Sequence, residues 1–564
     1  MKNCENRFRA IVVLLQTKTE KTDNKMKNTN PIFSLKNFRS FGEDGADFEL
    51  APITVLTGCN SAGKSSLVKA LLLLNKLSNT NAVDAIIDLG GDYLPVSTKE
   101  LNLGRFDKVI NDKTEEKEFE LSYLVWSSIL RENVKVIRVF MANRHDAMNN
   151  GKLKELRIER EDGSVIYSKG RRTSTAGISS YSDEFLNSKL LDDKIQQFDV
   201  VSEFLTTQKV YNAFLRRLEE SNDSKDLKLK VETGKKKLDD LKRMMQALSC
   251  TESDYDYSIC AKWNEYKYGD HLMDSDAVLG YKKECFLINS KEVFVSFLAE
   301  EIVAQALASD IQYVNSDSAK IKRLYSFEDE DKLCVAIRQF FKRIEKCKTL
   351  NDTIYIESDV HYQVGEFFKE WLGEKHFDIG DDITYQDTDE GLGFLLYLVK
   401  DGKKRLLADE GYGITQLFTL LLHIDNLVPI VKARHMEEED ADSFQKPIYV
   451  CVEEPENHLH PRFQSMLADM FVEAYQKYNI HFIIETHSEY LIRKLQVMVA
   501  DKENALSTND VSLNYVEKGK EGMSTNRKID ILNDGRLSEP FGTGFFDEAT
   551  GLSMHLLRMK MDSK

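Results

Sequence analysis

Cysteine, positive charge and long apolar runs are scarce in this sequence, and each scarcity excludes a class of protein. Eight of the 564 residues are cysteines and no two form a C-x-x-C pair, so zinc ribbons and dithiol redox sites are not expected. No apolar stretch approaches the roughly 18 residues of a membrane helix, and the apolar run at residues 10–15 is too short for a secretory signal. We therefore expect a cytoplasmic protein with reduced thiols and no membrane contact.

The charge balance limits the surfaces that this chain can offer. Lys and Arg number 77 against 93 Asp and Glu, so the net charge is −16. This charge excludes a uniformly basic nucleic-acid-binding surface but not a local basic groove. Hydrophobic residues make up 42% of the chain, which is enough for a large core. At about 150 residues per domain, the length allows roughly three or four domain-sized units.

The strongest motif is the segment GCNSAGKS at residues 58–65, which fits the phosphate-loop pattern G-x-x-x-x-G-K-[ST]. The β-branched run at 53–56 predicts a strand before it, and the apolar run at 67–77 predicts a buried helix after it. Glycines let such a loop wrap phosphate oxygens, and the helix N-terminus adds a positive dipole. We expect Lys64 to reach the β- and γ-phosphates of ATP and Ser65 to place its hydroxyl on Mg²⁺.

A second motif, IYVCVEEP at residues 448–455, is a hydrophobic strand that ends in two carboxylates. A strand beside the phosphate loop can deliver its terminal acid to the Mg²⁺ shell, and the next acid can polarise the attacking water. We therefore assign Glu453 to the metal and Glu454 to the water. Because glutamate is longer than the usual aspartate, Glu453 can also contact the metal through a water molecule.

Two further segments carry polar residues where the nucleotide is expected. The strand-like run FIIETHS at 482–488 contains His487, whose neutral imidazole can bond the γ-phosphate or can serve a purely structural role. The turn LADEGYGITQ at 407–416 opens an apolar helix. This turn is either an anion site or a helix start that Thr415 caps.

The spacing of the motifs determines the architecture. The acid pair follows Lys64 by 453 − 64 = 389 residues, which is more than one compact phosphate-loop core holds. We therefore predict an α/β fold: a split P-loop NTPase head, with a mixed sheet and flanking helices, and an inserted, mostly helical module; the resemblance given below implies that this head is ABC-type. The predicted divisions are a flexible N-terminal arm at 1–31, the first half of the head at 32–180, the helical insertion at 181–350, the second half at 351–500, and a C-terminal hairpin and tail at 501–564.

The insertion contains a short apolar seam with a coiled-coil-like spacing over about three heptads. An ordinary helix packed on its own domain and a protruding antiparallel coil both fit this spacing. Farther on, residues 353–358 and 394–399 read as strands. The seam consists of Leu227, Val231, Gly234, Leu238, Leu241, Met245 and Leu248.

The order of the motifs resembles ABC-type ATPases of the SMC and OLD (overcoming lysogenization defect) group. A closer resemblance is to a bacterial subfamily of predicted ATPases, and it covers roughly residues 32–110 and 310–550. The shared segments are the strand motif at 33–41, the GYGITQ signature at 411–416, the EEPENHLHP block at 453–461 and the GFFDE element at 544–548.

The resemblance implies a role for each matching residue. The phosphate loop of the family is matched by Asn60, Gly63, Lys64, Ser65 and Ser66. The signature turn, which caps ATP on the other subunit, is matched by Gly411, Gly413, Thr415 and Gln416. Walker B is matched by Glu453 and Glu454, the dimer-facing D-loop by residues 456–461, and the switch histidine by His487. A Q-loop glutamine is not identified. His458 and His460 form an H-x-H pair, but no third metal ligand lies nearby, so we do not expect a metal there.

The resemblance also implies a function: an ATP- and Mg²⁺-dependent ATPase that forms a homodimer, or a higher even oligomer, around two sandwiched ATP molecules. In such a family the dimer often controls a nuclease or toxin effector in antiphage defence, as in Septu-type or retron-associated systems. OLD nucleases continue into a Toprim domain, and no comparable acid cluster follows Ser488, so intrinsic nuclease activity is not expected.

Two alternatives remain open at the level of the sequence. A DNA-repair or DNA-tethering ATPase would clamp duplex DNA, and a basic stripe would support it, although acids interleave with its cations. A subunit of a membrane transporter is disfavoured by the large insertion and the tail. The candidate stripe consists of Lys225, Lys228, Lys230, Lys235, Lys236, Lys237, Lys242 and Arg243.

Overall fold

The structure is a computed structural model of the chain. It describes residues 30–78, 103, 105–115, 117–127, 129–142, 151–170, 178–220, 225–248, 250, 263, 291–305, 311–314, 321–350, 365–388, 392–437, 447–501, 506–519, 522–542, 546 and 548–562. Most of the predicted N-terminal arm, the predicted strand at 353–358 and most of the GFFDE element lie outside the described residues.

Strands and helices are mixed throughout the described residues, which confirms the predicted α/β fold. The strands are β1 (Ile32–Lys36), β2 (Ala46–Glu49), β3 (Ile53–Gly58), β4 (Glu118–Ser127), β5 (Glu132–Ala142), β6 (Gly151–Arg160), β7 (Val165–Gly170), β8 (Ile178–Tyr181), β9 (Ile311–Val314), β10 (Tyr325–Ser326), β11 (Asp382–Asp387), β12 (Gly393–Lys400), β13 (Lys403–Leu406), β14 (Ile448–Glu453), β15 (Ile480–Glu485), β16 (Val511–Lys518) and β17 (Ser524–Ile529). The helices are α1 (Lys64–Ser78), α2 (Asp183–Leu186), α3 (Lys189–Glu220), α4 (Lys225–Ala247), α5 (Lys291–Gln305), α6 (Lys332–Leu350), α7 (Glu366–Leu372), α8 (Tyr412–Glu437), α9 (Pro461–Tyr478), α10 (Glu489–Ala500) and α11 (Glu548–Asp562).

A six-stranded sheet holds the phosphate loop and both acid-bearing strands. Its order is β17-β16-β3-β15-β14-β9, and every neighbouring pair is parallel except the β16–β17 hairpin at one edge. The strands β3 and β14 are separated by β15 alone, although they come from opposite ends of the chain. The two halves of the head therefore form one sheet, as the motif spacing predicted.

Helices cover both faces of this sheet, which explains why its central strands are almost continuously apolar. Side chains alternate between the two faces along each strand. Cys451 and Ile483 belong to the core that includes α1, whereas Val450 and Ile484 belong to the core that includes α8, α9 and α10. The sheet is thus the middle layer of a three-layer arrangement, with the loop–helix junctions at its ends.

A seven-stranded antiparallel sheet, in the order β2-β1-β4-β5-β6-β7-β8, adjoins this core. The helices α3 and α4 run antiparallel, since Lys242 lies over the Phe204 ring and Lys230 over the Phe214 ring. Residues Leu238, Leu241 and Met245 of the apolar seam are buried in the same core as the sheet. The C-terminal half of the seam therefore packs on its own domain.

The remaining strands refine the divisions drawn from the sequence. Within the range predicted as the helical insertion, β9 forms the edge of the six-stranded sheet. A smaller sheet has the order β10-β12-β11, with β13 also paired to β12. The C-terminal hairpin turns between β16 and β17, and the turn at 533–535 follows β17 rather than joining the pair.

The helix α8 is long and apolar enough to cross a membrane, and it is the one such helix among the described residues. However, 72% of its apolar window, Tyr412–Val431, is buried inside the structure. Burial of this kind is typical of a core helix, so α8 is weak evidence for a membrane span.

The buried histidine at the start of β15 predicts an acid-sensitive core. His481 packs against the rings of Tyr449 and Tyr475, and burial lowers its pKa from 6.5 to about 4. Between these values the unfolded chain binds a proton that the folded chain does not, so stability falls as the pH drops from 6.5 to 4, by about 3 kcal/mol.

Urea denaturation of the wild type and of His481→Gln at pH 7 and pH 4 measures this effect. We expect the wild type to lose more stability than the variant on acidification, because only the wild type carries the titrating imidazole. The exposed residue His555 supplies the control, His555→Gln, which should behave like the wild type. An equal loss in wild type and His481→Gln would contradict the prediction.

Candidate functional site

The carboxyl ends of three parallel strands meet at one edge of the six-stranded sheet. The register pairs Glu453 of β14 with Glu485 of β15, and Glu485 with Leu56 of β3. The phosphate loop begins two residues after Leu56, at Gly58. Ligands of open parallel sheets bind at this end of the strands. The loop and the acid pair are therefore brought together by strand register alone, with Glu485 between them.

The phosphate loop has a backbone that only glycine can supply at two positions. Gly58 has φ 133° and Gly63 has φ 104°, in the region where a side chain is strained. A Cβ at Gly58 would also collide with the carbonyl oxygen of Val516, and one at Gly63 with the hydroxyl of Ser40. The loop is thus held from outside, by β16 and by the turn that follows β1.

Lys64 is buried beneath this loop. Its Nζ donates to the carbonyl oxygens of Gly58 at 3.3 Å and Cys59 at 3.0 Å. Burial lowers the pKa of Lys64, while Glu485 and Glu454 act in the opposite direction. The loop tip, in contrast, is exposed at Asn60. A cation therefore lies under a loop whose outer rim is open to a ligand.

The Ser65 hydroxyl donates to Oε1 of Glu485 at 3.0 Å. Glu485 is only 6% exposed, and its other oxygen, Oε2, is buried with no hydrogen-bond partner. Burial is the main cause that raises the pKa of this carboxyl to about 7. Glu485 lies within FIIETHS and was not among the predicted site residues, although an acid at the end of a buried strand is the same signal that indicated Glu453. Ser66 is buried behind the loop.

The two acids at and after the end of β14, Glu453 and Glu454, differ in their surroundings. The carboxylate of Glu453 interacts with the hydroxyl of Tyr313, at the end of β9, and with the guanidinium charge of Arg39. Glu454 has φ 44°, a backbone conformation that is uncommon outside glycine and concentrates at functional sites. Its carboxylate accepts from Nδ2 of Asn457 at 2.6 Å, so its orientation is fixed.

His487 lies at the same edge, close enough to Lys64 and Glu454 for both charges to affect it. Burial, followed by the charge of Lys64, lowers the pKa of His487, so its imidazole is neutral at pH 7. Its backbone N–H donates to Oε1 of Glu456 at 2.6 Å. Glu456 is itself buried, which raises its pKa. The histidine is therefore anchored to the D-loop.

The signature turn is divided between exposed and buried residues. Gly411 is exposed, and a Cβ there would meet nothing within 4 Å. Thr415 and Gln416 are buried in their own chain. Thr415 lies inside the first turn of α8 and donates to the carbonyl of Tyr412 at 2.8 Å, so it does not cap the helix. Within the GYGITQ segment, another molecule can therefore reach the exposed residues 411 and 412 and the partly exposed residues 413 and 414, but not Thr415 or Gln416.

The signature turn and the D-loop contact each other within one chain. The rings of Tyr412 and His458 meet edge to face at 4.6 Å, and Gly413 leaves no room for a Cβ beside the His458 carbonyl, 2.8 Å away. His460 has a different task, because its side chain accepts from the N–H of Arg462 and caps α9. The two histidines thus have separate structural partners.

Arg39 is a second residue at this edge that was not among the predicted site residues. It follows β1 with φ 52°, and its N–H donates to the carbonyl of Val109 at 2.6 Å. Arg39 as a whole residue is exposed, but desolvation of its guanidinium lowers its pKa, against the charges of Glu485 and Glu453. Together with Lys64, it offsets part of the negative charge of the acids at this edge.

The residues at this edge fit Mg²⁺ and a polyphosphate. The hydroxyl of Ser65 and the carboxylates of Glu453 and Glu485 are oxygen donors, which Mg²⁺ prefers. The unpartnered Oε2 of Glu485 is the kind of buried polar atom that a cation would satisfy. Lys64 and the glycine loop suit phosphate oxygens.

A phosphate loop that faces strand-end carboxylates across a parallel sheet defines a P-loop ATPase. Residues 32–492 match the model of the family described as AAA ATPase domain, and the chain belongs to this family. Residues 506–556 match a second model, described as a protein of unknown function (DUF3696). No curated protein matches the chain.

Several solved structures of SMC heads are similar to this chain over most of its length. A structure of the SMC head bound to the C-winged helix domain of ScpA is 12% identical, covers 89% of this chain and 98% of its own, and has a TM-score of 0.38. The Pyrococcus yayanosii head with a coiled coil and joint is 14% identical, with coverages of 89% and 98% and a TM-score of 0.33. The Thermotoga maritima head is 11% identical, with coverages of 88% and 98% and a TM-score of 0.30.

The environment of Lys64 predicts the effect of its removal. Lys64→Ala removes a buried cation and its charge-assisted bonds to phosphate, so ATP affinity should fall by roughly 10- to 100-fold. Isothermal titration with ATP measures the change, and the exposed Lys36→Ala is the control. Unchanged affinity in Lys64→Ala would disprove the phosphate-loop assignment.

Proposed function

We propose that this ATPase is a cytoplasmic switch that forms a head-to-head dimer when it binds ATP and Mg²⁺, and that the dimer controls a partner effector. The observation that carries the proposal is that the two parts of the expected ATP site, the phosphate loop and the signature turn, are both open to solvent in a single chain. The loop tip at Asn60 and the signature residue Gly411 are both exposed in one chain. In a two-fold dimer, residues 411–413 of each subunit would close the ATP held by the loop of the other.

Each residue at the sheet edge has a task in this proposal. Lys64 donates to the β- and γ-phosphates, and His487, kept neutral by its surroundings, donates a hydrogen bond to the γ-phosphate. Ser65 and the carboxylates beside it would hold Mg²⁺, which when bound neutralises phosphate charge. The carboxylate of Glu454, oriented by Asn457, accepts a proton from the attacking water. The water oxygen then bonds to the γ-phosphorus, the bond to the bridging oxygen breaks, and ADP leaves.

The contacts around the D-loop support a coupling between dimerisation and hydrolysis. The signature turn touches His458, and Glu456, two residues earlier, holds the backbone of His487. A partner's ATP bound at residues 411–413 would therefore press on the segment that positions the hydrolytic histidine. Such a connected path is a hypothesis of coupling, which variants at the two ends can test.

The effector in this proposal is a nuclease or toxin of an antiphage system, and the resemblance at the sequence level is the support for it. DNA is the competing ligand. In the candidate basic stripe on α4, Lys237 forms an ion pair with Glu203, whereas Lys230 and Lys242 lie over phenyl rings and keep their charge. The net charge of −16 is the observation that disfavours duplex DNA as the ligand.

Glu454→Gln should trap the ATP-bound dimer. The amide keeps the size of the carboxylate but accepts no proton, so turnover should fall by roughly 10²- to 10⁴-fold while ATP binding survives. Light scattering coupled to size exclusion, with ATP and Mg²⁺, should give the mass of a dimer. The exposed Glu43→Gln is the control. A variant that stays monomeric, or that hydrolyses ATP normally, would contradict the proposed mechanism.

The same trapped variant serves as bait in its native host. Recovery of a stoichiometric nuclease or toxin, with no nucleic acid, is the expected result. Recovery of DNA without a protein partner, with an affinity that falls steeply with salt, would contradict the effector and support a clamp.

A further inference from the structure

Glu485 is the most deeply buried acid at the edge where the nucleotide is proposed to bind, and half of its carboxylate has no partner. Its side chain is 6% exposed, compared with the partly exposed Glu453 and Glu454. Oε1 accepts the Ser65 hydroxyl at 3.0 Å, and Oε2 is buried without a hydrogen bond. A buried carboxylate oxygen without a partner costs free energy, so a native structure keeps one for a reason.

The neighbouring cations do not satisfy this oxygen. Lys64 directs its ammonium group to the carbonyls of its own loop, and Arg39 acts on Glu485 only through its charge. In the part of the chain that the structure describes, Glu485 takes part in no ion pair within 4.0 Å, although two cations are near. Oε2 therefore receives no cationic or hydrogen-bonding partner from the described residues.

The position of Glu485 beside the phosphate loop indicates that the partner of Oε2 is the metal ion bound with the nucleotide. The strand register places Glu485 between the loop-bearing strand, at Leu56, and Glu453. The carboxylate of Glu453 already interacts with the Tyr313 hydroxyl. Because the Ser65 hydroxyl gives its hydrogen to Oε1, the lone pairs of that hydroxyl stay available for a metal ion. Glu485 and Ser65 together thus present oxygen lone pairs to one location beside the phosphate loop.

We propose that Glu485 is a ligand of the nucleotide-bound divalent cation through Oε2, and that it orients Ser65 as a second ligand through Oε1. This assignment rests on the proposed ATP-binding function and deepens it. It gives the metal a directly facing carboxylate from β15, in addition to the Walker B strand β14. Glu453 then contributes charge from the next position, on the far side of Glu485.

The test measures metal binding rather than turnover. Mn²⁺ replaces Mg²⁺, and electron paramagnetic resonance of free Mn²⁺ reports its binding to the protein–ATP complex; ATP affinity is measured separately in EDTA. Glu485→Gln keeps the shape of the side chain and its bond to Ser65 but removes the charge. We expect Mn²⁺ affinity to fall by roughly 10- to 100-fold, with ATP affinity in EDTA within about twofold of wild type.

Glu456→Gln is the matched control for the loss of a buried carboxylate. Glu456 is 7% exposed, lies at the same edge, and also has an unpartnered oxygen, but its bonded oxygen holds the His487 backbone rather than Ser65. Mn²⁺ affinity should therefore fall by much less in this control than in Glu485→Gln. An equal loss in both variants would overturn the assignment, because it would reflect the total charge of the edge rather than a ligand.

Two other outcomes would also overturn it. If Glu485→Gln binds Mn²⁺ like the wild type but hydrolyses ATP slowly, Glu485 acts on the water and not on the metal. If ATP affinity in EDTA falls equally, Glu485 supports the loop. Should Glu485→Gln fail to fold, Glu485→Asp keeps the charge on a shorter arm. It should retain measurable Mn²⁺ binding at a lower affinity, and wild-type affinity would count against a ligand whose reach matters.

The assignment and the proposed switch fail in different ways. If the wild type and Glu454→Gln never dimerise with ATP, the switch is contradicted while the Mn²⁺ result still stands. If the dimer forms and Mn²⁺ binding in Glu485→Gln is normal, only the metal assignment is lost.

Discussion

The parallel pairing of β3, β15 and β14 is the constraint on which the rest of the structure depends. Strand register at this edge sets Leu56, Glu485 and Glu453 side by side, although Leu56 and Glu453 are 453 − 56 = 397 residues apart in the chain. A one-residue slip would turn each acid to the opposite face of the sheet. The apolar cores on both faces oppose such a slip, because each strand buries a different set of side chains on each side. The chemistry of the site is therefore a consequence of core packing.

The C-terminal strands β16 and β17 are part of the sheet that holds the phosphate loop, and they contact the loop directly. The carbonyl of Val516 on β16 lies where a side chain at Gly58 would be, and the N–H of Ser524 on β17 donates to the Ser40 carbonyl at 2.8 Å. The hydroxyl of Tyr515 lies 4.0 Å from the Cys59 sulfur in the loop. The segment that matches the family of unknown function thus braces the phosphate loop directly. A change in this hairpin would reach the nucleotide without passing through the rest of the fold.

The sequence predicted the parts of the site that carry a motif. Lys64, Ser65, Glu454 and His487 are brought to one edge of a split α/β head, because glycine spacing and strand-end acids are local patterns. The sequence offered a strand-end signal for Glu485, but it could not predict the positions of Glu485, Arg39 and Tyr313 relative to the loop, since these depend on which strands are neighbours. The burial of Thr415 and Gln416 could not be predicted either, because the sequence of a signature turn is the same whether the helix after it packs on the core or faces a partner. The part of the GFFDE element outside the described residues stays a prediction.

The central claim is that each ATP is closed by residues from two subunits, and a mixture of two inactive variants tests it most directly. Lys64→Ala disables the loop, and Gly411→Glu places a negative charge on the exposed turn, where the structure has open space for it. Each variant alone should be inactive. If closure occurs in trans, the mixed dimer regains one complete site, and the mixture should recover up to about a quarter of the wild-type ATPase rate. An inactive mixture of two folded variants, or an active Gly411→Glu protein, would contradict the account.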